Sequence, residues 1–229
     1  MSFGISLHVW GDYACFTRPE LKAERMSYEV MTPSAARGIL TAIYWKPQMR
    51  WVVDRIHVLA PIRFTQIRRN EVASKMSLPN KGKSCIYIEE NRQQRASTIL
   101  RDVDYVIDAH IEIVEESEDV NSAAKHLEIF KRRARRGQCF HQPYFGTREF
   151  PVAYELIEAS KDMPSSNLPP SQYNRNLGLM LHDMVYTEDK LGAFICAHTN
   201  RNYTVTPKFF LAEIKMGVIH VPSIKNAYN

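Results

Sequence analysis

From 103 to 113 the chain alternates without a break: Val103, Tyr105, Ile107, Ala109, Ile111 and Ile113 take every second position. A period of two over that length is a β-strand with one face in a core. Such a strand is not stable alone, so it demands paired neighbours and a layer over its apolar face. Its neighbours can be found in the chain. Ile5, Leu7 and Val9 alternate with polar residues up to Gly11, which reads as a disruption. Stretches 51–59 and 62–67, parted by Ala60-Pro61, read as two more strands, and 152–157 as another.

Two helices supply the covering layer. Thr32-Pro33 opens the first, with threonine as N-cap and proline at N1. Ala36, Ile39, Leu40 and Ile43 form its buried face, and Lys46-Pro47 stops it, leaving Tyr44 and Trp45 at its C-terminal edge. In the second helix Asn121 or Ser122 can cap, Ala123, Leu127, Phe130 and Ala134 share a face, and Gly137 can end it. Between the strands, residues 68–100 hold Arg68, Arg69, Lys75, Lys81, Lys83, Arg92 and Arg95 but few apolar groups besides 85–88. They read as an inserted excursion able to close over a ligand. With that excursion and the 62–67 strand that leads into it set aside, the order is β-α-β-β-α-β. This is the α+β, ferredoxin-like (RRM-like) split βαβ, with two helices on one face of an antiparallel sheet.

Residues 159–178 are rich in Pro, Ser and Asn and read as a linker. Short strands are expected beyond it at 184–186, 194–197, 203–206 and 209–221, forming a small antiparallel sheet. The expected division is 1–158 for the ferredoxin-like domain and 159–229 for linker and second domain.

Six cations in the second helix (Lys125, Lys131, Arg132, Arg133, Arg135 and Arg136) oppose one carboxylate, Glu128. That surplus equals the formal charge of the whole chain, +5, so the basicity sits in one place. A turn carrying Phe140, His141, Pro143 and Tyr144 follows. Cations interleaved with stacking groups fit single-stranded RNA. A solvated basic helix with an ordinary loop fits the same pattern.

Other chemistries find less support. No apolar run approaches the ~20 residues of a membrane span, and the N-terminus lacks the basic and apolar regions of a secretory signal. Cys15, Cys85, Cys139 and Cys196 are far apart and read as buried thiols of a reducing cytoplasm. Cys139 and His141 have no second ligand pair for zinc. Asp102, Asp104 and Asp108 lie along one strand without carboxylate partners elsewhere, so two-metal hydrolysis lacks ligands. No metal or cofactor is expected.

Several stretches occur together: YEVMTPSAARGIL-AIYWKP at 28–47, W-VDRIHVL at 51–59, KH-EIFKRR-RRGQCFHQPYFGTREF at 125–150 and LGLMLHDM at 177–184. As a set they resemble the CRISPR-associated family-five proteins of the Dvulg subtype, the type I-C members of the repeat-associated mysterious protein (RAMP) superfamily. The resemblance implies an endoribonuclease that cuts precursor CRISPR RNA at the repeat hairpin and keeps the product within the type I-C interference complex. It implies a catalytic Tyr, Lys and His, which by motif fall on Tyr44, Lys125 and His126. The expected partners are repeat RNA and the other subunits of that complex, with non-specific contact to double-stranded DNA. A monomer is expected in isolation.

The residue types suit metal-free cleavage. Histidine, with an unperturbed pKa of ~6.5, can move the protons. Lys125 can meet developing negative charge. Tyr44, with a pKa of ~10, is better suited to orienting the 2′-OH than to acting as a base. Lys131, Arg132, Arg133, Arg135 and Arg136 would meet phosphates, and Phe140, His141 and Tyr144 would stack on bases. A non-catalytic subunit capping the 5′ end of a guide RNA is the competing expectation, since it needs only the cations.

Overall fold

In the computed structural model, which describes residues 4–21, 23–74, 87–114, 122–158, 162–196 and 201–228, the alternating stretch is the second half of a 22-residue strand, β4 (Arg92–Ile113). β1 (Gly4–Ala14) pairs antiparallel with one side of that half and β2 (Met49–Val58) with the other. β5 (Ala153–Ile157) pairs with the outer side of β1. The order β5-β1-β4-β2 is that of the ferredoxin-like sheet.

Helix α1 (Pro33–Ile43) starts as the sequence predicts: Thr32 is extended and its hydroxyl accepts from Ala35 N–H at 3.3 Å. A single turn, α2 (Ile88–Asn91), precedes β4. The basic helix is α3 (Ser122–Arg135). Ser122 is the first residue of α3, and Asn121, the other expected cap, lies outside the described residues. Phe130 of α3 is fully buried against Trp51 of β2, with ring centroids 4.7 Å apart. Burying a side chain of that size contributes about 1.5–3 kcal/mol. That contact holds α3 over the strand that follows α1.

The structure corrects three readings. Gly11 does not end the first strand; β1 runs on to Ala14. A Cβ at position 11 would meet Pro151 O at 3.0 Å and the Phe145 ring at 3.1 Å, so the glycine marks where the 145–151 loop crosses. The second correction concerns 68–100. β3 (Phe64–Val72) pairs with the first half of β4, from Phe64 opposite Leu100 to Val72 opposite Arg92. The flanks of the excursion are therefore a two-stranded ribbon, and residues 75–86 lie outside the described set. Third, 209–221 is not one strand. β6 (Arg175–Glu188), β7 (Phe194–Cys196) and β8 (Arg201–Ile214) form a sheet in the order β6-β8-β7. The chain then reverses and β9 (Val218–His220) joins the edge of β2. β6 also begins inside the stretch that reads as a linker.

Cys15 is buried and Cys139 half-buried, and both are free thiols. No helix among the described residues is long and apolar enough to cross a membrane.

Candidate active site

Helix α1 stops where Tyr44 turns extended, with φ −157° and ψ 131°, while its N–H still donates to Leu40 O at 3.0 Å. From the start of β2, the Trp51 indole N–H donates to Tyr44 O at 2.9 Å. The tyrosine is thus held by both backbone groups and is only 3% exposed. Its Oη lies 2.8 Å from Nδ1 of His126, 82 residues further along the chain. Lys125 stands beside the imidazole, exposed on α3. The three residues expected to be catalytic come to one place.

A fourth group joins them. Lys46, which the sequence reads only as a helix stop, is also exposed and acts electrostatically on His126. Burial lowers the His126 pKa below its ordinary 6.5, and the charges of Lys125 and Lys46 lower it further. Burial also pushes the Tyr44 phenol above its ordinary 10.0, against a smaller downward pull from Arg133. At neutral pH the pair is therefore a neutral phenol and a neutral imidazole. If Nδ1–H donates to the phenol, Nε2 is a bare acceptor; if the phenol donates to Nδ1, Nε2 carries the proton. One hydrogen bond is compatible with either state of Nε2, which has no partner among the described residues.

The basic helix divides by role. The Arg133 guanidinium lies 5.1 Å from the centre of the Tyr44 ring and donates to Ile43 O at 3.1 Å. It packs the tyrosine and satisfies a terminal carbonyl of α1. Arg135 forks onto Glu158 at 2.5 and 3.0 Å, and Lys131 reaches Glu128 at 3.2 Å. Arg132 and Arg136 are exposed and unpaired among the described residues. After α3 the chain returns to the end of α1, where Ala42 O accepts the N–H groups of Phe140 (2.8 Å) and His141 (3.4 Å). Phe140 is 85% exposed. His141 stacks on Tyr144 with centroids 6.1 Å apart and planes at 27°. Trp45, half exposed, adds an aromatic that the sequence reading leaves unassigned.

The strand carboxylates have partners, though not one another. Asp104 meets His8 at 2.7 Å. Asp108 accepts from Ser6 at 2.6 Å and from His57 at 2.9 Å, and pairs with Arg55. Burial pushes the Asp108 carboxyl up, but the bonds from His57 and Ser6 and the charges of His57 and Arg55 outweigh it and hold it below the usual range.

The fold is ferredoxin-like, of the RAMP-like class. A solved structure described as a CRISPR-associated protein superposes with a TM-score of 0.67 at 25% identity, covering 100% of this chain and 96% of that one. The family model described as CRISPR-associated protein (Cas_Cas5) matches residues 4–222, and the chain belongs to this family, in its Cas5d branch. A protein of Mannheimia succiniciproducens named CRISPR pre-crRNA endoribonuclease Cas5d is 50% identical, over 97% of this chain and 96% of the relative. One of the same name from Thermus thermophilus is 40% identical, over 96% and 92%.

Proposed function

We propose that this chain is a metal-independent endoribonuclease that cleaves precursor CRISPR RNA at the repeat hairpin and stays with its product as a subunit of the type I-C interference complex. The observation that carries the reading is the 2.8 Å bond between Tyr44 Oη and His126 Nδ1, flanked by two lysines. The name shared by both curated relatives supplies the substrate class.

His126 Nε2 takes the proton of the 2′-OH, and the 2′-oxygen attacks the adjacent phosphorus. Lys125 and Lys46 stabilise the charge that grows on the phosphorane oxygens. The bond to the 5′-oxygen breaks and that oxygen takes the proton back from Nε2, leaving a 2′,3′-cyclic phosphate and a 5′-hydroxyl. With so little of Tyr44 exposed, burial favours a phenol that acts through the imidazole over one that touches the 2′-OH. On this reading residues 1–158 carry the chemistry, and within 159–229 β6, β7 and β8 form a smaller sheet while β9 returns to the first one. Lys131, Arg132, Arg135 and Arg136 serve the phosphates, and Phe140, His141 and Tyr144 serve the bases.

Repeat RNA incubated with the protein in chelator should be cut. The same RNA with one 2′-deoxy group 5′ of the cut should bind and stay intact, because it lacks the nucleophile. Cleavage of the deoxy RNA would overturn the mechanism. Cleavage of neither would leave the guide-capping subunit as the surviving reading.

Arg133 is a positioning residue here, and its test is salt dependence. Losing a phosphate contact would flatten the plot of log Kd against log salt by about 0.7–0.9. Arg133→Ala should keep the slope and instead slow single-turnover cleavage by roughly 10- to 100-fold, as a displaced catalytic group does. A flattened slope with an unchanged rate would return Arg133 to the phosphate-binding set.

A further inference from the structure

β2 is an edge strand over its first half, since β9 covers it only from Arg55 to His57. Beside the uncovered half lies a cavity of about 220 Å³. The first turns of α1, His182 and Asp183 of β6, and residues 221–224 close it. Its full charges are matched internally. Arg37 forks onto Asp183 at 2.6 and 2.7 Å, Arg50 meets Glu112 at 2.5 Å, and His110 meets Asp54 at 2.8 Å. A phosphate entering here would meet three carboxylates (Asp54, Glu112 and Asp183) against two guanidinium groups. The remaining wall includes Pro33, Trp51, Val53 and Ile224.

One polar atom is unmatched. His182 donates Nε2–H to Pro222 O at 2.7 Å, which leaves Nδ1 as an acceptor. That nitrogen is buried and has no partner among the described residues. An apolar slot, polar groups of both kinds at its walls, no net attraction for an anion and an acceptor lacking a donor together suit a neutral planar heterocycle with N–H groups. Trp51 connects the cavity to the catalytic pair: the residue is part of the cavity wall and its indole N–H holds Tyr44 O.

We infer that this cavity receives one unpaired nucleobase of the RNA whose backbone passes His126. The inference rests on the ribonuclease reading and adds a base subsite to it. A base drawn out of the stack into a pocket is a usual way to read single-stranded RNA.

The test is a cycle of abasic RNA against a filled cavity. Repeat RNAs carrying one abasic nucleotide each are scanned for affinity with the wild-type protein, with Ser223→Trp and with Val52→Phe. Ser223 lies on the exposed tail, so its variant folds even if packing around Val52 fails. With wild type, one position near the cut should lose roughly tenfold in affinity, within the range for a stacked base. In the filled variants intact RNA should bind as weakly as that abasic RNA, and the abasic penalty should disappear. Penalties that multiply at every position while wild type still cuts RNA would overturn the pocket alone. A wild-type protein that neither binds nor cuts the RNA would overturn the pocket and the ribonuclease reading together. Free adenosine, guanosine, cytidine and uridine are titrated in parallel. Saturable nucleoside binding blocked by Ser223→Trp, beside multiplicative RNA penalties, would mean a nucleoside site unconnected with RNA and would also overturn the inference.

Discussion

His126→Ala is expected to slow cleavage of a repeat hairpin by about 10²- to 10⁴-fold, the usual worth of a positioned acid–base group. Binding should stay nearly intact, because a neutral imidazole contributes no charge to phosphate affinity. Loss of binding in proportion would mean that His126 is structural. The pH profile gives a second reading of the same group. The neutral imidazole is the active form in the free enzyme, so kcat/KM falls as pH drops through the His126 pKa. Burial and the two lysines disfavour the imidazolium, which puts that midpoint below 6.5. Lys125→Ala removes one cation and should move the midpoint up. In the bound complex the substrate phosphate favours the imidazolium, so the acid limb of kcat should lie at higher pH than that of kcat/KM. A midpoint that stays put or moves down in Lys125→Ala would separate the acid limb from His126.

Parts of this molecule were legible because one local signal decided each of them. Thr32-Pro33 fixes the start of α1 by capping chemistry, and 103–113 shows a period of two because one face is buried. The ribbon of β3 with the first half of β4 escapes a reading based on apolar periodicity because it is solvated and held by charges. Glu71 takes Arg25 and Arg95, and Arg69 bonds both Glu149 and Ser97. β6 hides for another reason: register shifts at Asn176/Gly178 and Leu181/Asp183 break its alternation. In the site, the Tyr44–His126 pairing joins residues from two helices, and no spacing within either helix encodes it; the family resemblance pointed to it. Lys46 went unnoticed because a lysine before a proline reads as a helix stop. Arg133 looks like its neighbours in sequence, and only the turn of α3 aims it at Tyr44 while Arg132 and Arg136 have no partner among the described residues.

The loop after the aromatic turn passes against the main chain just beyond β1 at Gly146, and breaking that contact should have the largest effect on stability. Gly146 has φ +79°, and a Cβ there would fall 2.0 Å from Cys15 O and 2.7 Å from its carbonyl carbon. Both are main-chain atoms of the residue that follows β1, where Cys15 N–H donates to Phe145 O at 3.0 Å, so neither can swing aside. The left-handed conformation alone costs an alanine about 1–2 kcal/mol. Separating the loop from β1 also loosens Phe145, which is fully buried against Phe16 and Tyr105. Gly146→Ala should therefore cost at least about 3 kcal/mol, read as a lower urea midpoint, which is large for one methyl group. The control is Gly38→Ala in α1, where a Cβ meets nothing within 4 Å. It should stabilise by up to about 1 kcal/mol through helix propensity. Because Phe140 and His141 hang from Ala42 O, two residues before Tyr44, the Gly146 variant should also lose cleavage at temperatures where it remains folded. Full activity and an unchanged midpoint in Gly146→Ala would show that the 138–150 loop is not held against β1 as described.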